Sequence, residues 1–127
     1  MSDTVDDARE RGRAKMQEVY GSTVDDDHPN VGILFVEETL TKVFGDLWSR
    51  PGLSIRDRRM LTIGVAGARA LGDILAIQFA AGMANGELTA EQVDEIVLHL
   101  AYYAGWPNAT TALQASIEAK QEVATDP

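Results

Sequence analysis

The stretch LTAEQVDEIVLHLAYYAG, residues 88–105, decides how the chain is read. Thr89 followed three residues later by Gln92 is a capping box, in which each side chain closes a backbone N–H that the first helical turn leaves open. From there Val93, Ile96, Val97, Leu100, Ala101 and Tyr103 or Ala104 recur at three- and four-residue steps and form one broad apolar face. Gly105 ends the run, because glycine takes the left-handed backbone on which helices commonly stop. The pattern predicts a helix over about 90–104. His99 then falls between Leu98 and Leu100, on a helix expected to be largely buried.

The same punctuation extends to both sides. Upstream, Asp73 to Asn85 reads as a helix closed by Gly86, and Ala76, Ala80, Ala81, Gly82 and Ala84 make it rich in small residues. Small residues let backbones approach closely, so this helix is expected to be buried, with Gln78 as a polar group among Ile77, Phe79 and alanines. Leu71-Gly72 separates it from a helix that starts behind Ser54 and Asp57 and carries Met60, Leu61, Ile63, Val65 and Ala68. Before Pro51-Gly52, the span 30–49 repeats Ile33, Val36, Leu40, Val43, Phe44 and Leu47 at helical spacing. A charged helix from about Thr4 to Tyr20 precedes an acidic loop, 21–29, that holds Asp25, Asp26, Asp27 and His28. Downstream, Pro107 opens a last helix that runs to about Val123. No period-two alternation of useful length and no internal repeat occurs, so the expected fold is all-α, one domain over residues 1–127 with about six helices. Residues 1–9 and 124–127 are expected to fray.

Composition narrows the function classes. With 127 residues, 45% hydrophobic and 24% charged, the chain has the make-up of a folded globular domain. It has no cysteine, which excludes a disulfide framework, thiolate metal sites and dithiol redox chemistry. Twenty acidic against eleven basic residues give a formal net charge of −9, which repels nucleic acid. The bases gather as Arg50, Arg56, Arg58, Arg59 and Arg69, a group suited to a small acidic ligand, an internal ion-pair network or a subunit contact. The acidic N-terminus has no apolar core and is not a signal peptide. The longest apolar-leaning stretch, 71–84, contains Asp73 and Gln78 and is too short to span a bilayer. A cytoplasmic protein without a membrane partner is expected.

Familiar catalytic constellations are missing. His28 and His99 are the two histidines, and the aspartate run lacks the spacing and glycine of a calcium loop, so no metal is expected. Gly64, Gly67 and Gly72 lie within or at the end of a helix, not after a strand, so they form no phosphate loop. The strand–Ser–helix elbow of a serine hydrolase is absent. Nothing calls for a cofactor. What remains is a set of polar and aromatic groups in apolar surroundings: Gln78, Asn85, His99, Tyr102, Tyr103 and Trp106. Taken singly, His99 also reads as a core or interface histidine, and Gln78 as a buried amide bridging helices.

Together the motifs resemble the carboxymuconolactone decarboxylase family. The string 44–53, FGDLWSRPGL, is similar to the family's start, and Arg58 with Leu61-Thr62-Ile63 to its next helix. Asn85-Gly86 with Leu88-Thr89 continues the match, and HLAYYAGWPNA, 99–109, resembles its closing signature. The resemblance covers roughly residues 10–122. It implies an all-helical, ring-like homo-oligomer, a trimer or hexamer, enclosing a pocket for a small anionic substrate. The family includes decarboxylases of aromatic catabolism and a peroxidase branch that uses Cys-x-x-Cys and a histidine. Here Leu71 and Ile74 stand for the cysteines and Gln78 for the histidine, which removes the peroxidase chemistry. The decarboxylase branch also expects a histidine at Gln78, with a glutamate one turn earlier where Ile74 stands. Within the resemblance, Arg50 and Arg58 would hold the substrate carboxylate. Trp48, Asn85 and Trp106 would complete its binding site. Gln78 would donate to a developing oxyanion, and His99 or Tyr103 would return a proton. Two readings follow: a decarboxylase-type lyase on a small organic acid or lactone, or a catalytically silent member acting as a ligand-binding or oligomeric scaffold.

Overall fold

A computed structural model describes residues 3–21 and 33–125, and all regular structure among them is helical. The acidic loop with His28 and the first residues of the expected 30–49 helix lie outside the described residues. The chain divides into two compact units, residues 1–55 and 56–127.

In the first unit, α1 (Val5–Tyr20) begins one residue after Thr4, which forms a capping box with Asp7. The Thr4 hydroxyl accepts from the Asp7 N–H at 3.0 Å, and the Asp7 carboxylate accepts from the Thr4 N–H at 3.2 Å. Residues 5–9 are therefore helical, although the end of the chain was expected to fray through residue 9; reciprocal capping closes the open donors of that first turn. Asp3 adds a two-pronged contact with Arg11, both bonds 2.9 Å. That hydrogen bond, seconded by charge attraction, holds the Asp3 carboxyl below its ordinary value against a smaller opposing effect of burial.

The expected 30–49 helix is instead broken into three pieces. α2 (Leu34–Glu38) widens into a π-helical turn, Thr39–Phe44, closed by the Gly45 N–H donating to the Leu40 carbonyl at 2.8 Å. A single 3₁₀ turn, Leu47–Ser49, follows. The Thr39 and Thr41 hydroxyls donate to the Phe35 and Glu37 carbonyls at 2.8 and 2.7 Å, the back-bonding by which threonine perturbs helices. The π turn packs on α1. Gly12 of α1 lies directly against the Leu40 carbonyl, where no β-carbon fits. A small core of Val19, Phe44 and Trp48, flanked by Met16, Tyr20 and Ile55, closes this unit.

The second unit holds most of α3 (Ile55–Ala68), then α4 (Gly72–Ala84), α5 (Ala90–Tyr103) and α6 (Trp106–Thr125). The last helix runs two residues beyond the expected Val123. α4 and α5 both pack on α6. The contacts rest on small residues: Ala112, Ala115 and Ala119 of α6 and Ala80 of α4 join Ile63, Leu75, Phe79, Val93 and Leu100 in one core. α3 closes on α5 at Gly67, where an added β-carbon would stand 2.8 Å from Leu100 Cδ1. The capping box of Thr89 and Gln92 is present as the spacing predicts. Asn108 ties α6 to its neighbours by donating to the Ala68 and Ala104 carbonyls at 2.9 and 3.0 Å, and Lys120 pairs with Asp94. Between α3 and α4, Ala70 takes a left-handed backbone at φ 53°.

Two substitutions test these backbone constraints. Gly12→Ala drives a methyl into the Leu40 carbonyl and is expected to cost about 1–3 kcal/mol or more in urea denaturation. Ala70→Gly relieves a left-handed alanine and is expected to raise stability by about 1 kcal/mol, with an unchanged denaturant slope.

Candidate functional site

The innermost polar group of the second unit is Arg59, with none of its surface exposed. An unpaired guanidinium would be very costly there, so its partners are dictated by its chemistry. Arg59 Nε and Nη2 donate to the two carboxylate oxygens of Glu87 at 2.7 and 3.1 Å, and Nη1 donates to Gln78 Oε1 at 2.9 Å. Gly86, at φ 74°, reverses the chain after α4, and Glu87 follows it in the turn. Gly82 makes room for the stem of Arg59, since a β-carbon there would meet its Cδ at 3.0 Å. Asn85 Nδ2 donates to Glu87 Oε2 at 3.3 Å, and Arg56 Nε to the Glu87 carbonyl at 3.2 Å. Of the three roles open to the arginine group, Arg59 takes the internal ion pair. Gln78, 1% exposed, commits its amide oxygen to that pair.

A separate opening lies between α3 and α5. It is a groove of about 630 Å³ lined by Met60, Ile63 and Gly64 of α3 and by Glu95, Ile96, Leu98, His99, Leu100 and Tyr102 of α5. That volume is in the range of small-molecule sites, as is an apolar wall with a few polar groups. His99 is exposed, not buried as its neighbours in sequence suggest. Leu100 faces the core while Leu98 and His99 turn outward, because adjacent helical residues point about 100° apart. The imidazole stacks on the Tyr103 ring, centroids 4.6 Å apart and planes at 15°. Since the two residues are one turn apart on one helix, this stacking fixes the imidazole without a tertiary partner.

The remaining expected site residues are dispersed. Tyr103 is 83% exposed and stands behind His99, so Ala104 and not Tyr103 completes the buried face of α5. Trp106 is exposed, meets Tyr102 edge-on at 5.9 Å, and lines a smaller groove of about 260 Å³ between α5 and α6. Asn85 is exposed at the end of α4 and serves Glu87. Arg58 is half-buried on α3 and does not line the α3–α5 groove. Trp48 and Arg50 belong to the first unit. Trp48 lies in its core, stacked on Phe44 at 6.1 Å, and Arg50 is exposed. Glu87, Glu95 and Gly64 had not been singled out as site residues. The spacing of Arg59 with Ile63 and Ala66, all on one face, is the signal that marks Arg59 as inward-facing. No group of three potential metal ligands occurs among the described residues.

Comparison with known proteins bears on what this arrangement serves. A family model described as the carboxymuconolactone decarboxylase family matches residues 36–118. The chain belongs to that family. The matched span contains Trp48, Arg50, Arg58, Gln78, Asn85, His99, Tyr103 and Trp106. A 4-carboxymuconolactone decarboxylase of Acinetobacter baylyi is 33% identical over 84 residues, 66% of this chain and 62% of that protein. The nitrosuccinic acid decarboxylase npaB of Metarhizium robertsii is 32% identical over 78 residues, 61% of this chain and 54% of that protein. The matched stretch thus spans less than two thirds of either relative. The carboxymuconolactone decarboxylase family member described here is related to proteins named as decarboxylases. It carries Gln78 as the partner of a buried arginine.

The ion pair makes a sharp test. Glu87→Ala strands the buried Arg59 charge and is expected to cost about 3–5 kcal/mol in chemical denaturation. Asn85→Ala, which removes one outer contact, is expected to cost about 1 kcal/mol or less.

Proposed function

We propose that the protein is a decarboxylase-type lyase of a small organic acid, working in the α3–α5 groove with His99 as proton donor. The observation that carries the reading is the exposed His99 imidazole on the wall of an apolar groove, held flat against Tyr103. Two relatives named as decarboxylases support the reaction class.

The chemistry asks little of the protein beyond placement and one proton. The carbon–carboxylate bond breaks, carbon dioxide leaves, and the electron pair moves into an adjacent acceptor such as a carbonyl, lactone or nitro oxygen. Protonated His99 then gives its proton to carbon, and solvent restores it. The proton goes to the atom that held the carboxylate when the acceptor is directly adjacent or, when a double bond lies between them, to the carbon next to the acceptor. Histidine suits this step because an imidazole can both take up and release a proton, and the exposed His99 is open to solvent for its renewal. The apolar walls favour the reaction, since an ionised carboxylate is poorly solvated there while carbon dioxide is neutral. Tyr103 acts as the platform behind the imidazole. Gln78 has no part in proton transfer in this reading, because an amide does not shuttle protons and its oxygen is already bound by Arg59. Assembly as a homo-oligomer, trimer or hexamer, is part of the same proposal. The exposed Trp106, Leu113 and Ile117 support it, since these apolar side chains lie together on α6, outside the α3–α5 groove, and suit a subunit contact.

The second reading, a catalytically silent scaffold or ligand-binding member, is favoured by Gln78 itself, which replaces the expected histidine with a structural amide.

Carbon dioxide release from γ-carboxymuconolactone, nitrosuccinic acid and the monoacid benzoylacetic acid distinguishes the two. Turnover is expected with at least one acid, and His99→Gln is expected to lower kcat by about 10²–10⁴-fold. An unchanged kcat in His99→Gln removes that residue from the mechanism. A purified, folded protein that releases no carbon dioxide, as wild type or as Gln78→His, supports the scaffold.

A further inference from the structure

Three helical glycines of the second unit differ in what surrounds them. At Gly67 and Gly82 an added β-carbon would stand 2.8 Å from Leu100 and Leu88 side-chain atoms, so packing explains both. At Gly64 it would meet nothing within 4 Å. Gly64 is in the interior of α3, where glycine costs about 1 kcal/mol relative to alanine. Neither its helical backbone nor its neighbours in the fold call for it. The open space above it belongs to the α3–α5 groove, which Gly64 lines opposite Tyr102 and His99.

We propose that Gly64 is a specificity-determining residue: it leaves the backbone of α3 bare so that the flat body of a small monocarboxylic acid can lie in the groove beside His99. The proposal deepens the decarboxylase reading and rests on it for the location of the site. Flatness follows from the bare helix backbone on one wall and the aromatic Tyr102 and imidazole of His99 on the other. An apolar body follows from Met60, Ile63, Ile96, Leu98 and Leu100. The single carboxylate follows from charge. Among the described residues no lysine or arginine lines the groove, so His99 is its one cation-forming group and Glu95 its one acid. A second ligand carboxylate would share this apolar space with Glu95 and have no counter-ion. Nitrosuccinic acid, the acid named for one relative, is a diacid, so the groove points to a different selectivity in this chain.

The test uses benzoate and phthalate as flat mono- and dicarboxylate probes, read by the His99 ring-proton signal in NMR and assigned by its loss in His99→Gln. Benzoate is expected to shift the signal saturably in the wild-type protein, with phthalate roughly tenfold weaker or more. Gly64→Met, which fills the space with a good helix former, is expected to abolish the shift while its melting temperature equals or exceeds that of wild type. Gly64→Ala is expected to be more stable than wild type and to bind benzoate more weakly, which keeps the test open if the methionine variant does not fold. The proposal is overturned if benzoate leaves the His99 signal unmoved, if phthalate binds as well as benzoate, or if Gly64→Met binds benzoate as wild type does. It is equally overturned if Gly64→Met changes the sedimentation mass, since the groove would then be a contact between copies. Benzoate binding that Gly64→Met removes, in a protein that releases no carbon dioxide from any acid, would sink the decarboxylase reading and leave this one standing.

Discussion

The buried guanidinium of Arg59 is the constraint on which the second unit is organised. A charge in a helical core must be neutralised and its donors filled, or the core opens. That requirement fixes three things at once. It sets Glu87 in the α4–α5 connection, demands a hydrogen-bond acceptor on the inner face of α4, and requires Gly82 to carry no side chain. Gln78 meets the second demand with an amide oxygen at 2.9 Å. The network thus decides which face of α4 points inward, and α4 in turn packs on α6 through small residues. The sequence resemblance implied a histidine at this position. In this chain the position is part of the core's electrostatics, and the proposed proton transfer falls to groups elsewhere.

Those groups lie on the outer side of α5. The helix has an apolar stripe through Val93, Ile96, Val97 and Leu100, and the remaining arc, Glu95, Leu98, His99 and Tyr102, looks onto the groove beside α3. Burial and exposure are thereby separated on one helix. The inner arc stabilises by removing apolar surface from water. The outer arc keeps an imidazole accessible, with a tyrosine ring one turn later as its support. An exposed histidine in an apolar wall retains access to solvent protons, which a histidine in the Arg59 pocket would not have.

The first unit follows another rule. Its π turn and the crossing at Gly12 bring α1 so close to the Leu40 carbonyl that backbone meets backbone without side chains between. The widened turn shifts the residues after Glu38 out of the register that an unbroken helix would give. Phe44 and Trp48 are thereby stacked in the core beside Val19. Trp48, which the family resemblance implied as a binding residue, packs in this core.

The helices of the second unit were legible in the sequence because their signals are local: Thr89 with Gln92, the three- and four-residue apolar steps of 93–104, and glycines 86 and 105 at helix ends. The small-residue character of 76–84 also declared a buried helix, and the match of motifs declared the family. What the sequence could not decide was direction and partnership. His99 between two leucines looks buried on paper, but a rotation of about 100° per residue sends Leu100 inward and His99 outward. The bond from Arg59 to Gln78 joins residues 19 apart, and the pair with Glu87 joins residues 28 apart. Gly64, Gly67 and Gly82 are alike as letters; only the neighbours that α4 and α5 bring show that two are filled spaces and one is open. Local spacing fixes elements because their forces act within a turn or two of chain. Sites depend on contacts that form after the helices pack, and those were settled by the tertiary structure alone.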